Sequence, residues 1–183
     1  MAPRISVVAV CFKKVQGLED TLEGVARQSR PADEVIVVDA VGARSALDSV
    51  VPALPWVVRV EGPGLQAART RGVEASTGDY LCLLASGDVL EPRWLETAAQ
   101  VLNVESATAF VGHWRRGGGA AGDRRPQRSD AAAILEAAPC FGPPLVRRSA
   151  LDDAGCLQPE SEDEDEDEGD WELWLRLAAR GHR

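Results

Sequence analysis

The chain has 183 residues, 45% of them hydrophobic, which is enough for one domain with its own core. Its net charge of -9 is local, because Glu160 to Glu168 holds eight of the 29 acidic residues and leaves 21 against 20 basic ones elsewhere. A near-neutral remainder argues against nucleic acid as a partner, and no apolar run is long enough to span a bilayer as a helix.

Taken in chain order, Ile5 to Val10 is a compact β-rich run, and Leu18, Leu22 and Val25 mark a helical stripe that ends before Pro31. Val35 to Val38 reads as a second buried strand, Ala43 to Val51 as a short helix and Trp56 to Val60 as a third strand. A helix follows over Leu65 to Ala75, stopped by Gly78, and then a fourth strand over Tyr80 to Leu84. Ala85 to Glu91 is a polar turn, and Pro92 opens the next helix, to Asn103. Ala107 to Trp114 is expected to be a strand and residues 115–128 a mobile Arg/Gly-rich loop. Ser129 caps a helix over Asp130 to Ala138, Leu145 and Val146 are extended, and Ser149 to Ala154 is helical up to Gly155. The acidic run 160–168 is expected to be a loop, because like charges repel and bury nothing. The last helix is expected over Asp170 to Arg180, with Gly181 as its stop.

Alternating strands and helices at these spacings predict an α/β fold: a mostly parallel sheet flanked by helices through right-handed crossovers. In such sheets ligands sit in the crevice at the carboxyl ends of the strands, which singles out the turn after the fourth strand. The N-terminus MAPRISVVAV lacks the order of a signal peptide, so the chain is expected to be cytoplasmic. Cys11, Cys82, Cys140 and Cys156 form no CxxC pair and are expected to be reduced. No GxGxxG follows the first strand, where Gly17 stands alone, which disfavours a dinucleotide-dependent oxidoreductase.

Five pieces, in order, resemble one family: ISVVAVCFKK, LEDTLEGVARQSRPADEVIVVDA, GLQAARTRGVEASTGDYLCLLASGDVLEP, LVRRSALDDAG and GDWELWLRLAARG. Together they are similar to the family 2 glycosyltransferases, whose GT-A fold is a nucleotide-binding, Rossmann-like α/β sheet. The resemblance covers essentially residues 1–183 as a single domain. Similar domains continue beyond the last helix, so the chain reads either as a compact version of the domain or as a C-terminally truncated part of a larger protein. It implies transfer of a sugar from a UDP-, GDP- or dTDP-linked donor to an acceptor hydroxyl, with inversion. Manganese or magnesium, or basic side chains, would neutralise the leaving diphosphate, and a general base would deprotonate the acceptor.

Carried over residue by residue, the resemblance implies nucleotide contacts at Val10, Asp39, Ala40, Arg69, Ser86, Gly87 and Asp88, and a catalytic base at Asp170. Two departures stand out. The paired aspartates at the end of the second strand read Asp39 and Ala40, and the Asp-x-Asp-Asp turn reads Ala85, Ser86, Gly87, Asp88, which leaves Asp88 as the remaining metal candidate. At the end of the first strand, Val10, Cys11, Phe12 and Lys13 leave base or ribose contacts to main-chain groups.

Each assignment has a plainer counterpart. Asp39 and Asp170 are also ordinary N-cap residues, and Asp88 an ordinary turn residue. Arg69 and Arg71 also suit a solvated helix face. Arg115, Arg116, Arg124, Arg125 and Arg128 either close over a diphosphate or form a solvated loop. His113 and Trp114 are strand residues without an identifiable partner in sequence, and Trp171 and Trp174 are core before they are a stacking platform. Helix-start placement would lower the pKa of Asp170, and the preceding acids would raise it by repulsion. The rival function is a non-catalytic module that keeps the fold for binding or assembly after losing the Asp-x-Asp carboxylates.

Overall fold

The computed structural model describes residues 2–11, 17–40, 57–61, 65–104, 109–111, 114–116, 143–155 and 166–182. Eight strands and five helices lie in these residues: β1 (Ile5–Cys11), α1 (Leu18–Ala26), β2 (Glu34–Asp39), β3 (Val57–Glu61), α2 (Leu65–Ala75), β4 (Tyr80–Ala85), β5 (Asp88–Leu90), α3 (Trp94–Val104), β6 (Ala109–Val111), β7 (Trp114–Arg116), β8 (Pro144–Arg147), α4 (Arg148–Asp153) and α5 (Glu166–Ala179). The expected helices at 43–51 and 130–138, and the loop residues 117–128, lie outside the described residues, as do His113, Cys140 and Cys156.

Six strands form one sheet in the order β3-β2-β1-β4-β8-β6. β1 pairs in parallel with both β2 and β4, and β2 pairs in parallel with β3. β8 lies antiparallel to both β4 and β6, so it alone runs against the other five. The mostly parallel sheet flanked by helices is therefore as expected. β5 and β7 form a separate two-stranded antiparallel ribbon.

Both faces of the sheet are covered, which is why its central strands are apolar at successive positions, Val7 to Val10 and Val35 to Val38, rather than at alternate ones. Ile5, Val7, Ala9 and Cys11 point to one face and pack with Leu18, Leu22 and Val25 of α1 and Trp94, Leu95, Ala98 and Leu102 of α3. Val8, Val10, Ile36 and Val38 point to the other and pack with α2, α4 and α5. Gly72 permits the approach of α2: a Cβ there would lie 2.3 Å from Val8 Cγ1 and 2.9 Å from Val38 Cγ2.

At the amino end of the sheet the polar groups close on one another. Ile5 N–H donates to Asp33 Oδ2 at 2.7 Å and Arg4 N–H to Asp79 Oδ2 at 2.8 Å. Glu34 Oε1 accepts from Ser6 Oγ, from the Thr77 amide and hydroxyl, and from the Gly78 amide. Burial alone would raise the Glu34 carboxyl, but these four donors outweigh it and hold the group below its ordinary value. Arg148 donates to the Gly78 and Val73 carbonyls and to Ser76 Oγ, satisfying the end of α2.

Three expectations are corrected. The last helix begins at Glu166, not Asp170, so residues 166–168 of the expected acidic loop are helical. The expected strand from Ala107 to Trp114 is two strands in different sheets, β6 and β7, and Arg115 and Arg116 belong to β7, not to a loop. Pro92 precedes α3 by two residues instead of opening it, and the Gln28 side chain accepts the Leu95 amide at the helix start.

Candidate functional site at the carboxyl end of the sheet

Strand order reverses direction at β1. The chain goes from β1 outward through β2 to β3, then returns to pair β4 on the other side of β1. Such a switch point opens a crevice at the carboxyl ends of the two strands. Its rim is set by register: Cys11 stands beside Asp39 of β2, and Val10 beside Ala85 of β4.

The sheet's hydrogen bonding continues into this rim. The Ala40 amide donates to the Cys11 carbonyl at 2.9 Å, and the Ser86 amide donates to the Val10 carbonyl at 3.0 Å. The Cys11 and Val10 carbonyls are thus engaged by the sheet, and the Val10 side chain is buried in the core. Asp39 is also buried, 2% exposed, at the edge of the crevice. Ala40 packs against the helix-covered face on the α2 side. On α2, Arg69 is half-buried and Arg71 exposed, so the helix separates two arginines that looked equivalent in sequence.

The turn after β4 is held by elements that the sequence reading did not assign to the site. Gly87 has a φ of 99°, and its amide donates to Thr21 Oγ1 at 2.9 Å. Thr21, fully buried on α1, donates its own hydroxyl to the Gly17 carbonyl at 3.1 Å. Gly17, with a φ of 91°, lies so near that a Cβ on it would stand 2.8 Å from Gly87 Cα. A Cβ on Gly24 would stand 3.2 Å from Val89 Cγ1. Gly17, Thr21 and Gly24 thus form a stripe of small residues at helical spacing on which the turn and β5 rest. That i, i+4, i+7 pattern was the available signal.

Gln28 completes the support. Its amide donates to the Glu91 carbonyl at 2.7 Å and the Gly24 carbonyl at 3.1 Å, while its Oε1 accepts the Leu95 amide at 2.9 Å. One side chain joins the end of α1 to the start of α3.

Asp88 is 5% exposed, and its Oδ2 accepts the Ala85 amide at 2.9 Å, closing the turn on itself. Burial, and then the nearby Asp88 charge, push the Cys82 thiol well above the ordinary cysteine range. A divalent cation of the Asp-x-Asp type does not fit these residues. Positions 85 and 87 offer Ala and Gly, and Asp88 spends an oxygen within the turn. No group of three His, Cys, Asp or Glu suited to a metal occurs among the described residues.

Asp170 is the fifth residue of α5, not its cap. Residue 170 falls three, four and seven positions before Leu173, Trp174 and Leu177, which α5 buries against the sheet. Trp174 belongs to the core, 8% exposed.

Comparison with known proteins agrees with this architecture. The model of the family described as Glycosyl transferase family 2 matches residues 6–153. A relative from Bacillus subtilis, the uncharacterized glycosyltransferase YwdF, is 31% identical over 100 residues, covering 53% of this chain and 37% of its own. Among solved structures, the mannosyltransferase PcManGT from Pyrobaculum calidifontis, in complex with GDP-Man and Mn2+, superposes with a TM-score of 0.72 at 20% identity, covering 100% of this chain and 54% of that one. S. aureus TarS 1-349 in complex with UDP-GlcNAc gives 0.73 at 18% identity, covering 94% and 54%. These structural likenesses show the shared fold. The chain spans little more than a third of the relative and about half of each solved chain. No helix among the described residues is long and apolar enough to cross a membrane.

Proposed function

Because the chain belongs to glycosyl transferase family 2, we propose that it transfers a sugar from a nucleotide-linked donor to an acceptor hydroxyl, with inversion at the anomeric carbon. The observation that carries the reading is the register at the switch point, which sets Asp39 and the Ala85–Asp88 turn on either side of the end of β1. In this reading Asp39 meets the nucleoside, and the turn and the half-buried Arg69 lie toward the diphosphate. That two proteins of the same fold hold GDP-Man and UDP-GlcNAc supports a nucleoside diphosphate sugar as the donor class.

The step itself is a displacement. The acceptor oxygen forms a bond to the anomeric carbon as the bond from that carbon to the diphosphate oxygen breaks, and the electron pair leaves with the diphosphate. The acceptor proton passes to the Asp170 carboxylate, which acts as general base. The resemblance of GDWELWLRLAARG to the corresponding family segment, and its place on α5, support that role.

A second reading has its own observation. Ala85 and Gly87 stand where the family's metal-binding carboxylates would be, which suits a non-catalytic binding module. Titration calorimetry with UDP, GDP, dTDP and their sugar conjugates, each with Mn2+ and with EDTA, tests the donor site. Release of the free nucleoside diphosphate in the presence of candidate acceptors then separates the two readings. Binding with turnover that Asp170→Asn abolishes favours the transferase, and binding without turnover favours the module. Absence of binding by the folded protein would sink the donor site altogether.

A further inference from the structure

Three successive amides of the turn after β4 are engaged inside the protein. Ala85 N–H donates to Asp88 Oδ2 at 2.9 Å, Ser86 N–H to the Val10 carbonyl at 3.0 Å and Gly87 N–H to Thr21 Oγ1 at 2.9 Å. These acceptors belong to β5, β1 and α1, so the main chain of the turn is tied on three sides. Asp88 supplies the carboxylate among them, and a hydrogen bond to an ionised group is roughly twice as strong as a neutral one.

The same carboxylate is turned into the protein. Asp88 and Leu90 are the buried positions of β5, with Val89 half-buried between them, and Leu90 packs in one core with Leu22 and Trp94. Asp88 Oδ1 lies out of the reach of solvent. Burial, and then the Asp88 charge, hold the Cys82 thiol of β4 above its ordinary range, which sets the carboxylate beside the interior of the sheet. A cation joining a donor diphosphate to Asp88 would have to take Oδ2 from the Ala85 amide or reach Oδ1 from the core side. What the turn offers outward is Gly87, where a Cβ would meet nothing within 4 Å.

We propose that Asp88 is a positioning residue of the donor site: its carboxylate clasps the turn that lies toward the diphosphate and holds no cation. The inference rests on the donor-site reading above, and it gives the carboxylate that remains in the turn a main-chain partner in place of a metal. Without that acceptor the Ala85 amide loses its partner and the Ser86–Gly87 main chain loses one of its three ties, so the effect reaches the ligand through the backbone.

The test titrates UDP, GDP and dTDP, and the matching nucleosides, into the wild type, Asp88→Ala and Asp88→Asn, in EDTA and in Mn2+, well below the melting temperature of each protein. Asp88→Ala should weaken diphosphate binding about 10-fold, the scale of one hydrogen bond to a charged group, by the same factor in EDTA and in Mn2+ and with nucleoside affinity unchanged. Asp88→Asn, whose side-chain oxygen can still accept the Ala85 N–H, should recover most of that loss. Binding that depends on Mn2+ and that Asn loses as fully as Ala would overturn the inference, since Asp88 would then be a cation ligand, while the donor site would stand. So would an Asp88→Ala protein that melts earlier yet binds the diphosphate normally, since Asp88 would then serve stability alone. If Asp88→Ala does not fold, the wild type and Asp88→Asn decide: equal effects of Mn2+ on the two support the clasp, and a manganese effect lost in Asn overturns it. If no nucleotide binds the folded wild type, the donor reading falls and this inference with it.

Discussion

Thr21 Oγ1 accepts the Gly87 amide at 2.9 Å, so a side chain on the first helix fixes the turn that ends the fourth strand, 66 residues later. Replacing Thr21 with Val keeps the shape and removes the acceptor. The buried Gly87 amide is then left without that partner, and the expected loss is about 1–3 kcal/mol in urea unfolding. Thr21→Ser should recover most of it, because the hydroxyl remains. Equal stability of Val and wild type would show that the turn is held by its own backbone.

Gly17 and Gly87 both have positive φ, yet they should not respond alike to substitution. Ala at Gly87 finds open space and bears only the left-handed penalty, about 1–2 kcal/mol. At Gly17 the same methyl would also press on Gly87 Cα, and the combined loss is expected at about 2–4 kcal/mol. Chemical denaturation of the two single variants checks the order, and a reversed order would contradict the close approach of α1 to the turn.

Restoring carboxylates at the turn should create a cation site. Ala85 is half-buried at the rim and Gly87 faces free space, so Ala85→Asp with Gly87→Asp provides two oxygen ligands beside Asp88. Calorimetry should detect Mn2+ binding by the double variant and none by the wild type. Manganese binding of equal strength by both would mean that carboxylates outside this turn hold the ion.

Glu34 predicts how the protein responds to acid. Its folded pKa is lowered by the Ser6, Thr77 and Gly78 hydrogen bonds against the opposing effect of burial, so its contribution is present above the ordinary glutamate value of 4.5 and is lost as pH falls through the folded value. Melting temperature should therefore drop on acidification below that point, and Glu34→Gln should flatten this part of the curve while lowering stability at neutral pH. Parallel curves for the two proteins would assign the acid sensitivity elsewhere.

How much of the site was legible in advance differed from residue to residue. Asp39 is conspicuous in sequence because a carboxylate closes an apolar run, and Asp88 because it stands in a polar turn before a helix; the sheet register sets both at the rim. Thr21 and Gln28 were not found: on α1 they are one Thr and one Gln among polar helix positions, and their partners, Gly87 and Leu95, lie 66 and 67 residues away. Arg116 was assigned to a loop because WRR followed by a Gly-rich stretch has no strand periodicity. It is a strand only because β5 offers a partner.

The sequence by itself determined the α/β architecture. Apolar runs at Ile5–Val10 (broken only by Ser6), Val35–Val38 and Tyr80–Leu84 are satisfied by strands buried on both faces, and the helical stripes between them supply the cover. Register, helix limits and the furnishing of the crevice were decided by tertiary structure alone. Hydrogen bonds such as Gly87 to Thr21, caps such as Gln28 on α3, and pairings such as Arg116 with Asp88 join residues whose separation leaves no local pattern, and their geometry exists only once the sheet has brought them together.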